Sequence, residues 1–284
     1  MIGTVGDLVE DIAVRILGPV NVASDTPSHI DRRRGGSAAN TAVAVARTGH
    51  PARFIGQIGV DPIGDALIAV LEREGVDVVV RRQGRTGTIV VLVDERGERT
   101  MLTDRAACAD LDRPEQRWLD GLHSLHVPLY SLIGGELATT AATLIEWAHD
   151  RGITVSIDAS SAAVIEANGI DHVRDLIHAL RPTVLLCNEL EAEVLGGRDA
   201  VAPLAGAVTV VKQGAEPAWV LPHDGEPISV AVPDGGPVRD TTGAGDAFAA
   251  GFLVALSQGT AFDDAAMAGH RAARVAIDRV SGAA

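Results

Sequence analysis

Short apolar runs with strand character alternate with amphipathic segments along most of the chain. The strand candidates are almost continuously apolar, as strands buried on both faces are. A mostly parallel central sheet with helices on both faces, a three-layer α/β fold, satisfies this pattern because parallel strands need crossover helices between them. The strand candidates are 2–7, 52–59, 154–160, 183–189 and 207–214, and the helix candidates include 37–48, 65–74, 138–150 and 247–256.

Two regions depart from this alternation. Residues 85–103 contain two β-prone runs joined by Asp94, Glu95, Arg96 and Gly97. Asp and Gly between two apolar runs indicate a hairpin. Residues 12–34 are also strand-like but irregular. We predict a single domain over residues 1–284, with a small β-sheet lid formed by about 12–34 and 85–105.

Charge and composition exclude several classes of protein. The formal net charge is −14, with no basic patch, which argues against nonspecific nucleic-acid or anionic-membrane binding. No apolar run approaches the roughly 20 residues of a membrane helix. The first residues lack the basic run of a signal peptide. Cys108 and Cys187 form no CxxC pair. We expect a cytoplasmic protein that binds neither nucleic acid nor membrane.

A glycine-rich turn runs directly into an apolar helical pattern at residues 239–256. Gly243 and Gly245 let the backbone approach a ligand closely, and the first N–H groups of the helix have no helical partner. Together they can form an anion-binding site. Asp246 lies in the first turn, where the helix dipole favours an ionised carboxylate. The alternative is a helix cap and a simple turn. The spacing fits neither the dinucleotide fingerprint nor a Walker-A loop.

A second pair of glycines precedes an alanine-rich helix candidate at residues 34–46. Gly35 and Gly36 allow a ligand to lie against bare backbone, and Asn40 offers both donor and acceptor groups to a hydroxyl-rich ligand. A glycine turn with tight helix packing would be the structural alternative. An asparagine in an apolar helix is costly unless it is paired, and this favours a functional role.

The stretches DTTGAGDAFAAGFL and RGGSAANTAVAVA resemble the C-terminal and N-terminal signatures of the ribokinase-like (PfkB) carbohydrate kinases. The resemblance implies a ribokinase-like fold and ATP-dependent phosphorylation of a small sugar with Mg²⁺. By that resemblance Asp246 is the catalytic base, and the N–H groups of Gly243, Ala244 and Gly245 stabilise charge on the transferred group. Phosphoryl transfer needs mainly such positioning and charge stabilisation.

The resemblance also assigns the acceptor side of the site. Gly35, Gly36 and Asn40 match substrate-contacting positions, and Asp11 matches the sugar-binding aspartate after the first strand. Arg105 lies where the chain departs from the family pattern, at the edge of the sugar pocket. We expect Asp7 and Glu10 to be solvated or to belong to a local turn.

The nucleotide side is assigned in the same way. Asn188 and Glu191 match the Asn-x-x-Glu motif, with Asn188 near the nucleotide and Glu191 acting on Mg²⁺ through water. Asp240 matches a position that binds a monovalent cation in some members, which makes K⁺ a candidate cofactor. The remaining nucleotide-side predictions are Lys212 (the only lysine), Gly214, Thr242 and His270.

Two other functions remain open. One is a nucleoside kinase of the same fold, although both lid regions lack Phe, Tyr and Trp for stacking on a base. The other is a sugar-binding protein without catalysis, although the base and the glycine turn are both present. The resemblance also allows a homodimer formed through the lid, because exposed strand edges invite pairing.

Overall fold

The computed structural model describes residues 1–93, 99–236, 238 and 241–282. The strands are β1 (Ile2–Val5), β2 (Val9–Ile16), β3 (Ser28–Gly35), β4 (Ala52–Ile58), β5 (Val76–Arg82), β6 (Thr88–Val93), β7 (Arg99–Asp104), β8 (Ser124–Pro128), β9 (Thr154–Asp158), β10 (Val184–Asn188), β11 (Val208–Gln213), β12 (Glu216–Pro222) and β13 (Ile228–Val230). The helices are α1 (Ser37–Arg47), α2 (Pro62–Arg73), α3 (Gly135–Asp150), α4 (Ala162–Asn168), α5 (Ile170–Leu180), α6 (Glu189–Val194), α7 (Arg198–Val201), α8 (Ala244–Ser257) and α9 (Phe262–Gly282).

A nine-stranded sheet forms the centre of the molecule, in the order β13-β12-β11-β10-β9-β8-β1-β4-β5. The strands from β11 to β5 pair in parallel. Strands β12 and β13 extend the sheet as antiparallel neighbours. The five strand candidates correspond to β1, β4, β9, β10 and β11, so the predicted mostly parallel sheet is confirmed.

Each face of this sheet is covered by helices. Along β10, Leu185 and Cys187 point into one buried cluster with α3 and α5. Val184 and Leu186, the alternate residues, point into a second cluster with α1, α2, α8 and α9. Because side chains alternate between the faces of a strand, the continuous apolar run supplies both cores at once. The three layers expected from the sequence are therefore present.

Local sequence signals determine where two of the helices begin. Asp61 caps α2 by accepting a hydrogen bond from the Gly64 N–H at 2.8 Å, and Pro62 occupies the first helical position. This helix therefore starts earlier than predicted. Helix α8 also starts earlier, at Ala244, because Gly243 adopts a left-handed conformation with φ 75° and ends the preceding turn.

A separate four-stranded sheet, in the order β3-β2-β6-β7, forms the region predicted as the lid. Strand β2 pairs antiparallel with β3 and parallel with β6. Strands β6 and β7 pair antiparallel, as the hairpin pattern predicted. The turn residues 94–98 lie outside the described residues. Among the described helices, none has both the length and the apolar character that a membrane crossing requires.

Candidate active site

Two helix N-termini, those of α1 and α8, meet at Asp246. The Ser37 hydroxyl donates to Asp246 Oδ1 at 2.6 Å, and Asn40 Nδ2 donates to Oδ2 at 3.0 Å. Ser37 and Asn40 lie one turn apart on α1, more than 200 positions from Asp246 in sequence. The structure thus brings together the two most specific sequence segments. Asn40 is paired, as an amide at this position requires. Sequence analysis did not identify Ser37.

Asp246 has an altered acidity. Burial raises the pKa of its carboxyl group to about 6, although hydrogen bonds from Ser37 and Asn40 oppose that change. The helix dipole favours the ionised form, as expected from the sequence, and burial acts against it. With a pKa of about 6 the carboxyl group is still mostly ionised at neutral pH. A carboxyl group with a pKa near 6 is matched to proton transfer close to neutral pH.

The glycine turn before α8 places backbone next to Asp246. Gly243 is the N-cap residue, and its carbonyl accepts the first helical hydrogen bond from Ala247 at 2.9 Å. The Ala244 N–H donates to the Thr241 carbonyl at 3.0 Å. In this conformation the Ala244 N–H therefore closes the turn. Gly245 is exposed in the first turn of the helix.

Asp11 and the two predicted glycines form a second part of the site. A Cβ atom on Gly35 would lie 2.0 Å from Asp11 Oδ1. A Cβ atom on Gly36, which has φ 98°, would lie 2.1 Å from the Asp7 carbonyl oxygen. Gly36 therefore requires glycine, because a Cβ atom would overlap backbone at a positive φ, whereas a side chain on Gly35 would displace the Asp11 carboxylate. The absent side chains let Asp11 and the backbone approach each other at the start of α1.

The Asp11 carboxylate has no direct partner for one of its oxygens. Oδ1 is buried and accepts no hydrogen bond from any described residue. Burial raises the pKa of Asp11, and the nearby charges of Arg33 and Arg34 partly offset this. Arg33 Nε and Arg34 Nη1 are likewise buried without a partner among the described residues. Buried groups of this kind are rare, and a bound ligand is one explanation.

Arg105 forms a partly buried ion pair that sequence analysis did not predict. Its Nε and Nη2 atoms donate to the two carboxylate oxygens of Asp7 at 2.8 and 2.9 Å. Glu10 is also buried and accepts a hydrogen bond from Arg32 Nη1 at 3.1 Å. Asp7 lies in the short loop between β1 and β2, as one of the two expected alternatives, but neither carboxylate is freely solvated because each accepts from an arginine. The Arg105 guanidinium, expected at the edge of the sugar pocket, is thus held by Asp7.

The carboxyl ends of three adjacent parallel strands form the third part of the site. Asp158 ends β9, Asn188 ends β10, and Lys212 lies beside Asn188 on β11. Lys212 Nζ donates to Asp158 Oδ2 at 2.7 Å, with both side chains largely buried. Sequence analysis missed Asp158. A carboxylate at the end of an apolar parallel strand was the signal that could have found it.

Lys212 also lies close to the start of α8. A Cβ atom on Gly245 would lie 3.7 Å from Lys212 Nζ. Burial alone would lower the pKa of Lys212, but the charges of Asp158 and Glu191 outweigh it and raise the pKa. The ammonium group therefore stays charged between the nucleotide side and the helix that carries Asp246.

Asn188 and Glu191 satisfy each other's polar groups at the start of α6. The Asn188 N–H and Nδ2 donate to Glu191 Oε2 and Oε1 at 2.8 and 2.7 Å, and the Glu191 N–H donates to Asn188 Oδ1 at 2.8 Å. Burial, followed by the charge of Asp158, raises the pKa of Glu191 to about 7. The described residues contain no cluster of three acidic, His or Cys side chains placed to hold a metal directly. A carboxylate tied up in this way suits an indirect, water-mediated contact with Mg²⁺.

The other predicted nucleotide-side residues lie in different environments. Gly214, with φ 63°, forms the turn between β11 and β12. Thr242 is partly buried in the turn before α8. The His270 ring packs edge-on against Phe248 at 5.2 Å, and burial lowers its pKa. This contact is one that a structural histidine would make. Asp240 lies outside the described residues.

Comparison with known proteins identifies clear relatives. The profile of the family described as pfkB family carbohydrate kinase matches residues 4–284. An uncharacterized sugar kinase of Archaeoglobus fulgidus is 30% identical over 257 residues, which cover 84% of this chain and 95% of the relative. A fructokinase of Klebsiella pneumoniae is 32% identical over 265 residues, covering 84% and 81% respectively.

The arrangement of the elements also matches solved structures. The crystal structure of adenosine kinase from Sinorhizobium meliloti superposes with a TM-score of 0.85 at 23% identity. The match covers 97% of this chain and 93% of that chain. At this identity the likeness shows a common fold.

Proposed function

This chain belongs to the pfkB family of carbohydrate kinases and has its ribokinase-like fold, and we propose that it phosphorylates a hydroxyl of a small sugar with Asp246 as the base. Enzymes of this family use ATP and Mg²⁺. The observation that carries the proposal is the double hydrogen bond from Ser37 and Asn40 to Asp246 at the glycine-rich start of α8. It joins the acceptor half of the chain to the phosphate half at one carboxylate.

In the proposed reaction the acceptor hydroxyl lies between α1 and α8. Asp246 takes its proton as the oxygen attacks the γ-phosphorus, and the bond from that phosphorus to the bridging oxygen of ADP breaks. The backbone of Gly243, Ala244 and Gly245 stabilises negative charge on the transferred group. The Ala244 N–H must release the Thr241 carbonyl to take part, so we infer that this turn adjusts when ATP binds.

The acceptor side would be recognised by groups that are unpartnered in this conformation. Asp11 Oδ1 is a buried acceptor without a partner among the described residues, and Gly35 leaves space for the carboxylate itself. A sugar hydroxyl donating to Asp11 would remove the cost of leaving that oxygen without a hydrogen bond. Gly36 would present backbone to the sugar, and Asn40 would orient it together with Asp246. Arg105 would act indirectly, by fixing Asp7 at the edge of the pocket.

The nucleotide side would bind ATP along the ends of β10 and β11. Lys212 offers a compact positive charge for the phosphates, and Gly214 and Thr242 would shape the loops around them. Asn188 would lie at the nucleotide, while Glu191 would hold water on Mg²⁺, which neutralises phosphate charge when it is bound. His270 contacts Phe248 and would influence the nucleotide only through packing. A requirement for K⁺ at Asp240 stays a prediction.

A sugar is the better acceptor candidate than a nucleoside. The regions 12–34 and 85–105 contain no Phe, Tyr or Trp on which a base could stack. Tyr130 is partly buried, which raises its pKa, and it lies close enough to Glu191 and Asp158 for their charges to raise that pKa further. This ring lies outside the small sheet and could stack on a base. The nucleoside alternative therefore remains a defined second candidate. A non-catalytic sugar-binding protein is disfavoured, because the base and its partners are all in place.

The four-stranded sheet would act as a lid that excludes water from the transferred group. Its β2 and β3 strands carry Asp11 and Gly35, so closure would move groups that contact the sugar.

Ile30 and Leu102 are 61% and 55% exposed on this sheet. Exposed apolar residues of this kind support a homodimer formed through the lid. Sedimentation at several protein concentrations would test it, and a monomer throughout would contradict it.

The function can be tested by measuring ADP formation with a panel of sugars and nucleosides. We expect turnover with at least one sugar and none with nucleosides. Turnover with nucleosides alone would establish the second candidate. Binding of sugars without ADP formation would establish a binding protein. Repeating the assay with K⁺ and with Na⁺ would show whether a monovalent cation is needed.

A further inference from the structure

The two oxygens of Asp246 are held by chemically different donors. Oδ1 accepts from the hydroxyl of Ser37 at 2.6 Å, and Oδ2 accepts from the side-chain amide of Asn40 at 3.0 Å. The first contact has the length of a charge-assisted O–H···O⁻ hydrogen bond. Both donors come from the first turn of α1, which follows the glycine pair at the acceptor site. The carboxylate plane is therefore fixed by a single rigid element.

The two donors respond differently when Asp246 becomes protonated. The amide NH₂ of Asn40 can only donate, so it stabilises the ionised carboxylate and offers nothing to a proton on Oδ2. The hydroxyl of Ser37 can donate or accept, because its hydrogen rotates about the Cβ–Oγ bond. A proton on Oδ1 therefore meets a group that can turn and accept it. Ser37 can therefore serve both protonation states by rotating one hydrogen, whereas Asn40 would have to turn its whole amide over to accept from Oδ2.

We propose that Ser37 is a positioning residue for the base, and that it makes Oδ1 the oxygen that receives the acceptor's proton. This inference rests on the proposed function. In the step, the acceptor O–H bond breaks and its proton moves to Asp246 Oδ1. The acceptor oxygen bonds to the γ-phosphorus, and the bond to the ADP oxygen breaks. The Ser37 hydroxyl then reverses and accepts a hydrogen bond from the new Oδ1–H group.

A serine at this position could also have a purely structural role at the start of α1. It is the first residue of that helix, after Gly36 at the N-cap, and no side-chain capping bond is formed there. Its hydroxyl is instead directed at a carboxylate from another helix. If Ser37 had only a capping role, its substitution would change stability alone. If it positions the base, its substitution should also shift the acidic limb of the pH profile of kcat/KM.

The test compares Ser37→Ala with Ser37→Thr in the full-length enzyme. Loss of the hydroxyl removes a donor to the ionised form, so the pKa of the base rises. We expect the acidic limb of the kcat/KM profile to move upward by about one pH unit in Ser37→Ala. The plateau of kcat should fall about tenfold as the carboxylate loses its fixed orientation, with KM for ATP unchanged. Ser37→Thr should restore both values.

Ser257→Ala is the matched control, because Ser257 lies at the far end of α8 and donates only to the Val254 carbonyl. It should behave as the parent enzyme. If Ser37→Ala fails to fold, Ser37→Cys, which keeps the size but donates weakly, is used instead. An unchanged limb and full kcat in folded Ser37→Ala or Ser37→Cys would overturn the inference. Loss of turnover in Asp246→Asn would still support the proposed function in that case. The experiment therefore separates a failure of the Ser37 inference from a failure of the proposed function.

Discussion

Lys212 Nζ lies 2.7 Å from Asp158 Oδ2, which joins the only lysine of the chain to a carboxylate two strands away in the central sheet. Both side chains are nearly buried, with exposed fractions of 14% and 11%. The charges of this pair also reach Glu191 and Asp246, where Asp158 raises the pKa values of the two carboxyl groups and Lys212 lowers them. One largely buried pair thus influences the acidity of two other carboxyl groups of the site.

Lys212→Met should reduce both stability and ATP binding. The change leaves Asp158 buried without its cation, and breaking a buried pair in this way costs about 3–5 kcal/mol. Urea unfolding should show this loss in the free energy of unfolding. Titration calorimetry should show a weaker affinity for ATP. Lys212→Arg should keep neither the stability nor the ATP affinity of the parent enzyme in full, because a planar guanidinium does not replace a compact ammonium group.

The double variant Lys212→Met/Asp158→Asn separates the two effects. It removes both charges, so most of the stability should return while ATP binding stays weak. Equal loss of stability in the single and double variants would contradict the argument from an unpaired charge.

Asp246→Asn should abolish phosphoryl transfer. An amide cannot take the acceptor's proton, so kcat should fall by about 10²–10⁴-fold while ATP binding is largely kept. Single-turnover measurements with the best sugar of the panel would show the loss. Asp263→Asn, at an exposed position in the first turn of α9, is the matched control. Normal turnover in Asp246→Asn would rule out this residue as the base.

The pH dependence of kcat/KM should follow the acidity of Asp246. Its pKa is raised to about 6, and the base must be ionised to act. Activity should therefore be constant above this value and fall by about tenfold per pH unit below it. A profile measured between pH 5 and pH 8, about one unit below to two above the pKa, would show the bend. A profile that stays flat down to pH 5, as an aspartate with its ordinary pKa of about 4 would give, would contradict the raised pKa of this carboxyl group.

The partly buried pair of Asp7 and Arg105 should stabilise the junction between the two sheets. Asp7 lies between β1 and β2, and Arg105 follows β7. Arg105→Met leaves the Asp7 carboxylate without its charged donor, with an expected loss of about 1–3 kcal/mol in the free energy of unfolding. Adding Asp7→Asn should recover part of it.

Arg113→Ala provides the control for the Arg105 substitution. Arg113 is 76% exposed and pairs with Asp112, so its loss should cost less than about 1 kcal/mol. A comparable effect of the two arginine substitutions would show that the Asp7 pair has no special role.

Local pattern predicted the central fold. The runs at β1, β4, β9, β10 and β11 are apolar on both faces, and this property belongs to the sequence alone. The pattern did not reveal β8, where SLHVP is short and includes a histidine, or the edge strand β5, in which only Val76 is fully buried. Such strands are recognisable only through their neighbours, because edge and centre positions impose different side-chain requirements.

The glycine turns, the positions of Asp246 and Asn40, and the family were available from the sequence, since each depends on residue type and short spacing. The tertiary structure alone decided the partners of the charged groups. Asp7 with Arg105, Lys212 with Asp158 and Ser37 with Asp246 are each separated by 54 or more positions. Ion pairing and desolvation depend on distances through space, and the pKa of Asp246 follows from its burial rather than from its place at a helix start.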